Sequence, residues 1–119
     1  MKIDIGQHGA YQILKIEEDL NVISDLSELR FLINGYLHQG KRNIAVSFTG
    51  ASYIYSGALA VLIDLFKQVK EKDGELCILE PHPEILSIFH ALHLDQVLPI
   101  YTSIEKLPML GDKAEQISL

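Results

Sequence analysis

The stretch that decides the fold is residues 53–72, YIYSGALAVLIDLFKQVKEK, because an amphipathic helix begins within it. The preceding residues 43–48, NIAVSF, are rich in β-branched and aromatic side chains and predict a buried strand. From Ala58 onward, one apolar face recurs at helical spacing. Its members are Leu59, Leu62, Ile63, Phe66 and Val69. A buried strand followed by such a helix is typical of an α/β fold.

Ser56 stands where this predicted helix begins. A serine at that position usually caps the helix, because its hydroxyl accepts a hydrogen bond from a backbone N–H without a partner in the helix. The positive end of the helix dipole lies at the same place and favours a phosphate group. The position therefore suits either a structural cap or a phosphorylation site.

The rest of the chain predicts strands that alternate with helices. Further strands are expected at residues 2–5, 11–16, 75–79 and 97–101. Further helices are expected at about residues 24–40, 83–90 and 104–107. This order predicts one α/β domain with a mixed, mostly parallel sheet of about five strands and about four helices. The domain is expected over residues 1–107, with a polar C-terminal tail at 108–119.

The composition narrows the class of protein. A chain of 119 residues with 48% hydrophobic content suits one domain with a real core. No apolar run approaches 18 residues and the first five residues, MKIDI, do not open a secretion signal, so we expect a cytoplasmic protein without membrane insertion. A formal charge of −6 with scattered lysines argues against nucleic-acid binding. The single cysteine, Cys77, is expected to be a buried thiol.

Catalytic patterns are weak throughout the sequence. His90 and His93 supply half of a metal site, but no third ligand follows at a recognisable spacing, so no metal and no cofactor are expected. The acidic run Glu17, Glu18 and Asp19 reads as a solvated strand end rather than an acid–base pair. A nucleophilic Ser56 would need a base and an oxyanion hole, and no GxSxG motif surrounds it. The sequence predicts a protein that is not an enzyme.

The run from strand 43–48 through Leu62 resembles the STAS domain of anti-sigma-factor antagonists. That family has an aromatic or apolar pair and then Asp-Ser-(Ser/Thr)-Gly-Leu-Gly at the start of its second helix. The similarity continues through residues 83–89, 92–98 and 103–105, and so covers roughly residues 3–107. The serine of the motif falls on Ser56. The family's Asp, Ser/Thr and two glycines fall on Tyr55, Gly57, Ala58 and Ala60.

The resemblance implies a STAS-like single domain with a regulatory role. In the family, a partner anti-sigma factor that is a Ser/Thr kinase phosphorylates the serine, and the unmodified form binds that partner. Ser56 is accordingly the phosphorylation candidate. The central helix also carries apolar residues beside its core stripe, at Ala58, Val61 and Leu65, for contact with a partner or with the helix near 84–91. The predicted partner-binding residues are Tyr53, Tyr55, Ser56, Gly57, Ala58 and Val61.

Two other functions stay open on the sequence. The departures at Tyr55, Gly57 and Ala58 favour a STAS subunit that is never phosphorylated and works beside a transporter ATPase or in a signalling scaffold. A small hydrolase or ligand-binding domain would combine Ser56 with His90 or His93. Formation of a homodimer is likewise left open.

Overall fold

The computed structural model describes residues 2–22 and 24–108 of the chain. In chain order, the strands and helices are β1 (Ile3–His8), β2 (Tyr11–Ile16), α1 (Ser27–His38), β3 (Asn43–Ser47), α2 (Ser56–Glu71), β4 (Glu75–Leu79), α3 (Pro83–Ala91) and β5 (Ile100–Tyr101). Single 3₁₀ turns follow α3 at Leu94–Gln96 and β5 at Ile104–Lys106. Except for Pro108, the predicted tail lies outside the described residues.

The five strands form one sheet in the order β1-β2-β3-β4-β5. β1 pairs antiparallel with β2, and every later pair is parallel. Each parallel step therefore needs a crossover, and α1, α2 and α3 provide them. All three steps run in the same direction across the sheet, so right-handed crossovers place the three helices on one face. The α/β single-domain prediction with a mixed, mostly parallel sheet is confirmed.

The two faces of the sheet carry separate apolar clusters. The helical face holds the larger cluster, in which alternate strand residues such as Leu14, Val46 and Ile78 meet the helices. On the opposite face, Tyr11 and Cys77 pack under Leu107, which follows the last 3₁₀ turn. Burial raises the pKa of the Cys77 thiol to about 12, so this side chain stays neutral at ordinary pH. The prediction of a buried thiol is confirmed.

Several predicted elements differ from those in the structure. The expected strand at 97–101 is reduced to Ile100–Tyr101, preceded by Pro99, which lacks an N–H for the ladder. The expected fourth helix is one 3₁₀ turn, Ile104–Lys106, and Pro108 disfavours helical geometry at the residue before it. The first helix begins at Ser27 rather than Ser24, because the Ser24 hydroxyl accepts from the Asn21 N–H within a turn. The part of the chain that the structure describes thus has three α-helices.

None of the described helices is both long enough and apolar enough to cross a lipid bilayer.

Candidate functional site

The start of α2 lies at the edge of the sheet where the parallel strands end. The segments that follow β2, β3 and β4 all emerge there, because those strands run in the same direction. This is the edge at which open α/β sheets usually bind their ligands. Ser56 is the first residue of α2 at this edge.

Asp19, just after β2, holds the loop that precedes α2. Its Oδ1 accepts hydrogen bonds from the backbone N–H groups of Ser52 at 2.6 Å and Tyr53 at 3.1 Å. The Ser52 hydroxyl also lies 3.3 Å from the same oxygen. Sequence reasoning missed this role and treated Asp19 as part of a solvated run. No local sequence signal reveals this role, since Ser52 and Tyr53 lie 33 and 34 residues after Asp19 in the chain.

A short parallel β-bridge holds the residues between this loop and the start of α2. Leu20 lies opposite Ile54. The Leu20 N–H donates to the Tyr53 carbonyl at 2.9 Å, and the Tyr55 N–H donates to the Leu20 carbonyl at 3.0 Å. Two chain segments therefore set the direction in which Tyr53 and Tyr55 leave the sheet.

The first turn of α2 lacks a side-chain cap. Tyr55, in extended conformation, occupies the N-cap position, and its side chain makes no capping hydrogen bond. Its carbonyl accepts from the N–H groups of Ala58 at 3.0 Å and Leu59 at 3.2 Å. Ser56 is exposed in the first turn. Ser56 therefore does not cap α2, and it lies at the positive end of the helix dipole.

The ring of Tyr55 lies against Gly57. A Cβ atom at Gly57 would come within 2.4 Å of Cε2 and 2.9 Å of Cζ of that ring. A side chain at position 57 would therefore displace the Tyr55 ring, whereas the backbone angles of Gly57 do not call for glycine. Tyr55 is half-buried and packs against the edge of the main core. The two departures from the family motif, at 55 and 57, thus form one structural unit.

The remaining predicted contact residues separate into surface and core. Tyr53 is 48% exposed, and Val61 is half-buried. Ala58 is fully buried, as is Leu65, so neither side chain reaches a partner at the surface. The additional apolar residues predicted beside the core stripe of α2 thus belong largely to the core. Ala58 and Leu65 lie on the same side of the helix, and that side is buried.

Val22 lies at the same edge of the sheet as Tyr53 and Ser56. It was not among the contact residues predicted from the sequence. It lies in the turn between Asn21 and Ser24, which the Ser24 N–H closes by donating to the Asn21 carbonyl at 2.9 Å. Its exposed fraction of 76% is large for an apolar side chain. The turn directly follows the bridge between Leu20 and Ile54, at the edge where α2 starts. We call Val22, Tyr53, Tyr55, Ser56 and Gly57 the docking patch.

The histidines lie away from the docking patch. α3 starts at the edge shared with Ser56 and runs back along the sheet, so it carries His90 and His93 away from Ser56. His90 Nε2 is 3.8 Å from Asp95 Oδ2. The predicted hydrolase pairing of Ser56 with either histidine is therefore not assembled. Within residues 2–22 and 24–108, no three His, Cys, Asp or Glu residues are placed to hold a metal ion.

A change of Gly57 to alanine tests the packing of Tyr55. Alanine normally favours a helix over glycine by up to about 1 kcal/mol. Here its methyl group would displace the ring, so we expect Gly57→Ala to lower the free energy of unfolding by about 1 kcal/mol. In a Tyr55→Ala background the same change is expected to be neutral or stabilising. Urea unfolding of the four proteins measures the difference, and the same sign in both backgrounds would contradict the packing.

The described chain thus forms a small α/β domain with helices on one face of the sheet and an exposed tyrosine, Tyr53, at its carboxyl edge. The chain belongs to the STAS domain family, whose family model matches residues 3–107. A Thermotoga maritima protein assigned as an anti-sigma factor antagonist is 20% identical over 94 residues, which cover 79% of this chain and 83% of that protein. A homologue from Thermotoga neapolitana is 21% identical over the same shares of the two chains.

Solved structures show the same fold. The crystal structure of the Thermotoga maritima protein TM1081 superimposes with a TM-score of 0.74 at 18% identity, covering 98% of this chain and 95% of that one. The Bacillus cell fate determinant SpoIIAA in its phosphorylated form gives a TM-score of 0.65 at 16% identity, covering 87% and 95%. The fold is thus that of anti-sigma factor antagonists.

Proposed function

We propose that this chain is a regulatory STAS module, not an enzyme, that binds an anti-sigma factor through the docking patch and is switched by phosphorylation of Ser56. The observation that carries the proposal is the exposed hydroxyl of Ser56 in the first turn of α2, next to Tyr53 and Tyr55. Its fold and its relatives support this role. One fold neighbour was solved in a phosphorylated form. The proposed site of action is the cytoplasm, and the proposal does not require a homodimer.

The charge of a phosphate explains how the switch works. A phosphoserine adds about −1.5 to −2 charges at neutral pH. Within the free domain, the start of α2 tolerates that charge, since the helix dipole is positive there. Against an apolar partner surface, the same charge loses its water and weakens binding. The unmodified chain is thus the form that binds.

A second candidate is a STAS subunit that binds its partner permanently. The Tyr55–Gly57 contact favours it, because a ring stands where the family motif has an acidic residue beside the phosphorylated serine. In this case the docking patch keeps its role, and Ser56 is only a surface residue. A partner in a transporter or a signalling scaffold fits this candidate.

Direct phosphate mapping separates the two candidates. The chain is incubated with a purified anti-sigma factor kinase, ATP and magnesium, and phosphate is located by mass spectrometry. We expect stoichiometric label on Ser56 and none in Ser56→Ala. Label on Ser52 alone, or no label, would remove the switch and favour the permanent subunit. Ser52 is an internal control because it is a nearby serine that Asp19 holds.

A further inference from the structure

The edge of the molecule around the docking patch is strongly acidic. The segments 17–28 and 80–84, which follow β2 and β4, hold seven carboxylates: Glu17, Glu18, Asp19, Asp25, Glu28, Glu80 and Glu84. Among the described residues, the lysines near this edge are Lys2, which enters β1, Lys15, the next-to-last residue of β2, and Lys106, which follows β5. Arg30 lies one turn into α1 and is paired with Asp64 at 2.9 Å. Seven of the 16 aspartate and glutamate residues of the chain thus lie in the segments around the start of α2.

Most of these carboxylate side chains are exposed to solvent. Asp25 accepts a hydrogen bond from the Ser27 N–H at 2.9 Å, and that bond, with one from the Ser27 side chain, lowers the pKa of the exposed carboxyl. Glu28 and Glu84 are exposed in the first turns of α1 and α3. Glu18 Oε1 accepts from the Lys2 N–H at 2.6 Å.

The centre of the same edge is apolar. Val22 is 76% exposed and Tyr53 is 48% exposed, and neither side chain is needed for the core. An exposed tyrosine is a characteristic anchor of protein interfaces. An apolar centre with a charged rim is the usual anatomy of such an interface.

We propose that the partner of the docking patch presents a basic surface, from which an aliphatic or aromatic side chain meets Val22 and Tyr53 while lysines or arginines face the surrounding carboxylates. This inference rests on the proposed function, because it describes the partner of that same patch. The complementary charges steer the two proteins together and mainly raise the association rate.

Other occupants are disfavoured by the same charges. Nucleic acids and anionic membranes carry phosphates, which the seven carboxylates repel. A bound divalent cation would need carboxylates that converge, and none of the described residues form such a group. A protein with a basic face satisfies both the charge and the exposed apolar centre.

The carboxylates around the docking patch and the phosphate on Ser56 act on different steps of binding. The carboxylates act over distance and influence the association rate. A phosphate on Ser56 lies at the centre of the patch and must be dehydrated on contact, so it raises the dissociation rate. The two effects are therefore separable in one kinetic experiment, although both involve negative charge.

The test uses the anti-sigma factor that binds this chain and measures association and dissociation rates in about 50 and 500 mM salt. We expect the association rate to fall at least tenfold at the higher salt. Glu28→Lys and Glu84→Lys are expected to slow association at least threefold each. The matched control is Glu71→Lys at the far end of α2, which is also exposed and should change the rate little.

Substitutions of the exposed apolar residues by serine test the centre of the docking patch in the same assay. Val22→Ser is expected to weaken binding at least tenfold through faster dissociation. Phe31→Ser is its control, since Phe31 is also 76% exposed but lies on the outer face of α1. One outcome would overturn the proposal of a basic partner and keep the proposed function. In it, the association rate does not change with salt or with Glu28→Lys, while Val22→Ser still weakens binding. Unchanged binding in Val22→Ser and Tyr53→Ser would overturn the proposed function itself.

Discussion

Ser56→Asp is expected to weaken binding of the anti-sigma factor by at least about 30-fold, which corresponds to roughly 2 kcal/mol. The aspartate places a charge at the centre of the docking patch, where contact removes its water. The folded domain itself should not suffer, because an acidic residue in the first turn of a helix is favourable by about 0.3–1 kcal/mol. Isothermal titration of the purified proteins measures the affinity, and urea unfolding measures the stability.

Two controls isolate the charge in this experiment. Ser56→Ala removes the hydroxyl without adding charge and is expected to bind within about threefold of the parent. Ser87→Asp adds the same charge at an exposed serine on α3, outside the patch, and should leave binding unchanged. Equal affinity of Ser56→Asp and Ser56→Ala would favour the permanent subunit over the switch.

Gly74→Ala is expected to destabilise the fold by about 3 kcal/mol. A Cβ atom at Gly74 would lie 2.2 Å from the backbone oxygen of Arg42 and 2.8 Å from Cγ1 of Val69. The Arg42 carbonyl is also fixed, since it accepts from the Glu75 N–H at 2.9 Å. The clash is with backbone and so is not relieved by a rotamer change. Gly74 joins α2 to β4, and its tight contact fixes how α2 lies on the sheet.

Gly35→Ala is the matched control for this change. Gly35 lies within α1, and nothing lies within 4 Å of the position its Cβ would take. Alanine there is expected to raise the free energy of unfolding by about 0.5–1 kcal/mol, through helix propensity and the unfolded state. Urea unfolding of both variants compares them. A Gly74→Ala protein as stable as Gly35→Ala would contradict the close contact between the end of α2 and Arg42.

The central elements were predictable because their signals are local. The strand at residues 43–48 and the helix after Ser56 follow from side-chain alternation and from helical spacing, which any short window of sequence contains. The position of Ser56 in the first turn of α2 follows from the same change of period. The fold class then follows from the order of strands and helices.

The parts that sequence reasoning missed depend on contacts between distant segments. Asp19 acts on Ser52 and Tyr53 through hydrogen bonds that exist only once β2 and β3 are neighbours. Ala58 was predicted to bind a partner, and Leu65 to contact either a partner or the helix near 84–91; both are fully buried against the core. A helix considered alone does not reveal how wide a face its neighbours cover.

The central claim is that the exposed hydroxyl of Ser56 is the switch of this module. The most direct measurement is the dissociation constant of the stoichiometrically phosphorylated chain for the anti-sigma factor, before and after treatment with a phosphatase. We expect the untreated sample to bind at least about 30-fold more weakly and the treated one to regain the affinity of the unmodified chain. The same affinity before and after removal of the phosphate would contradict the account.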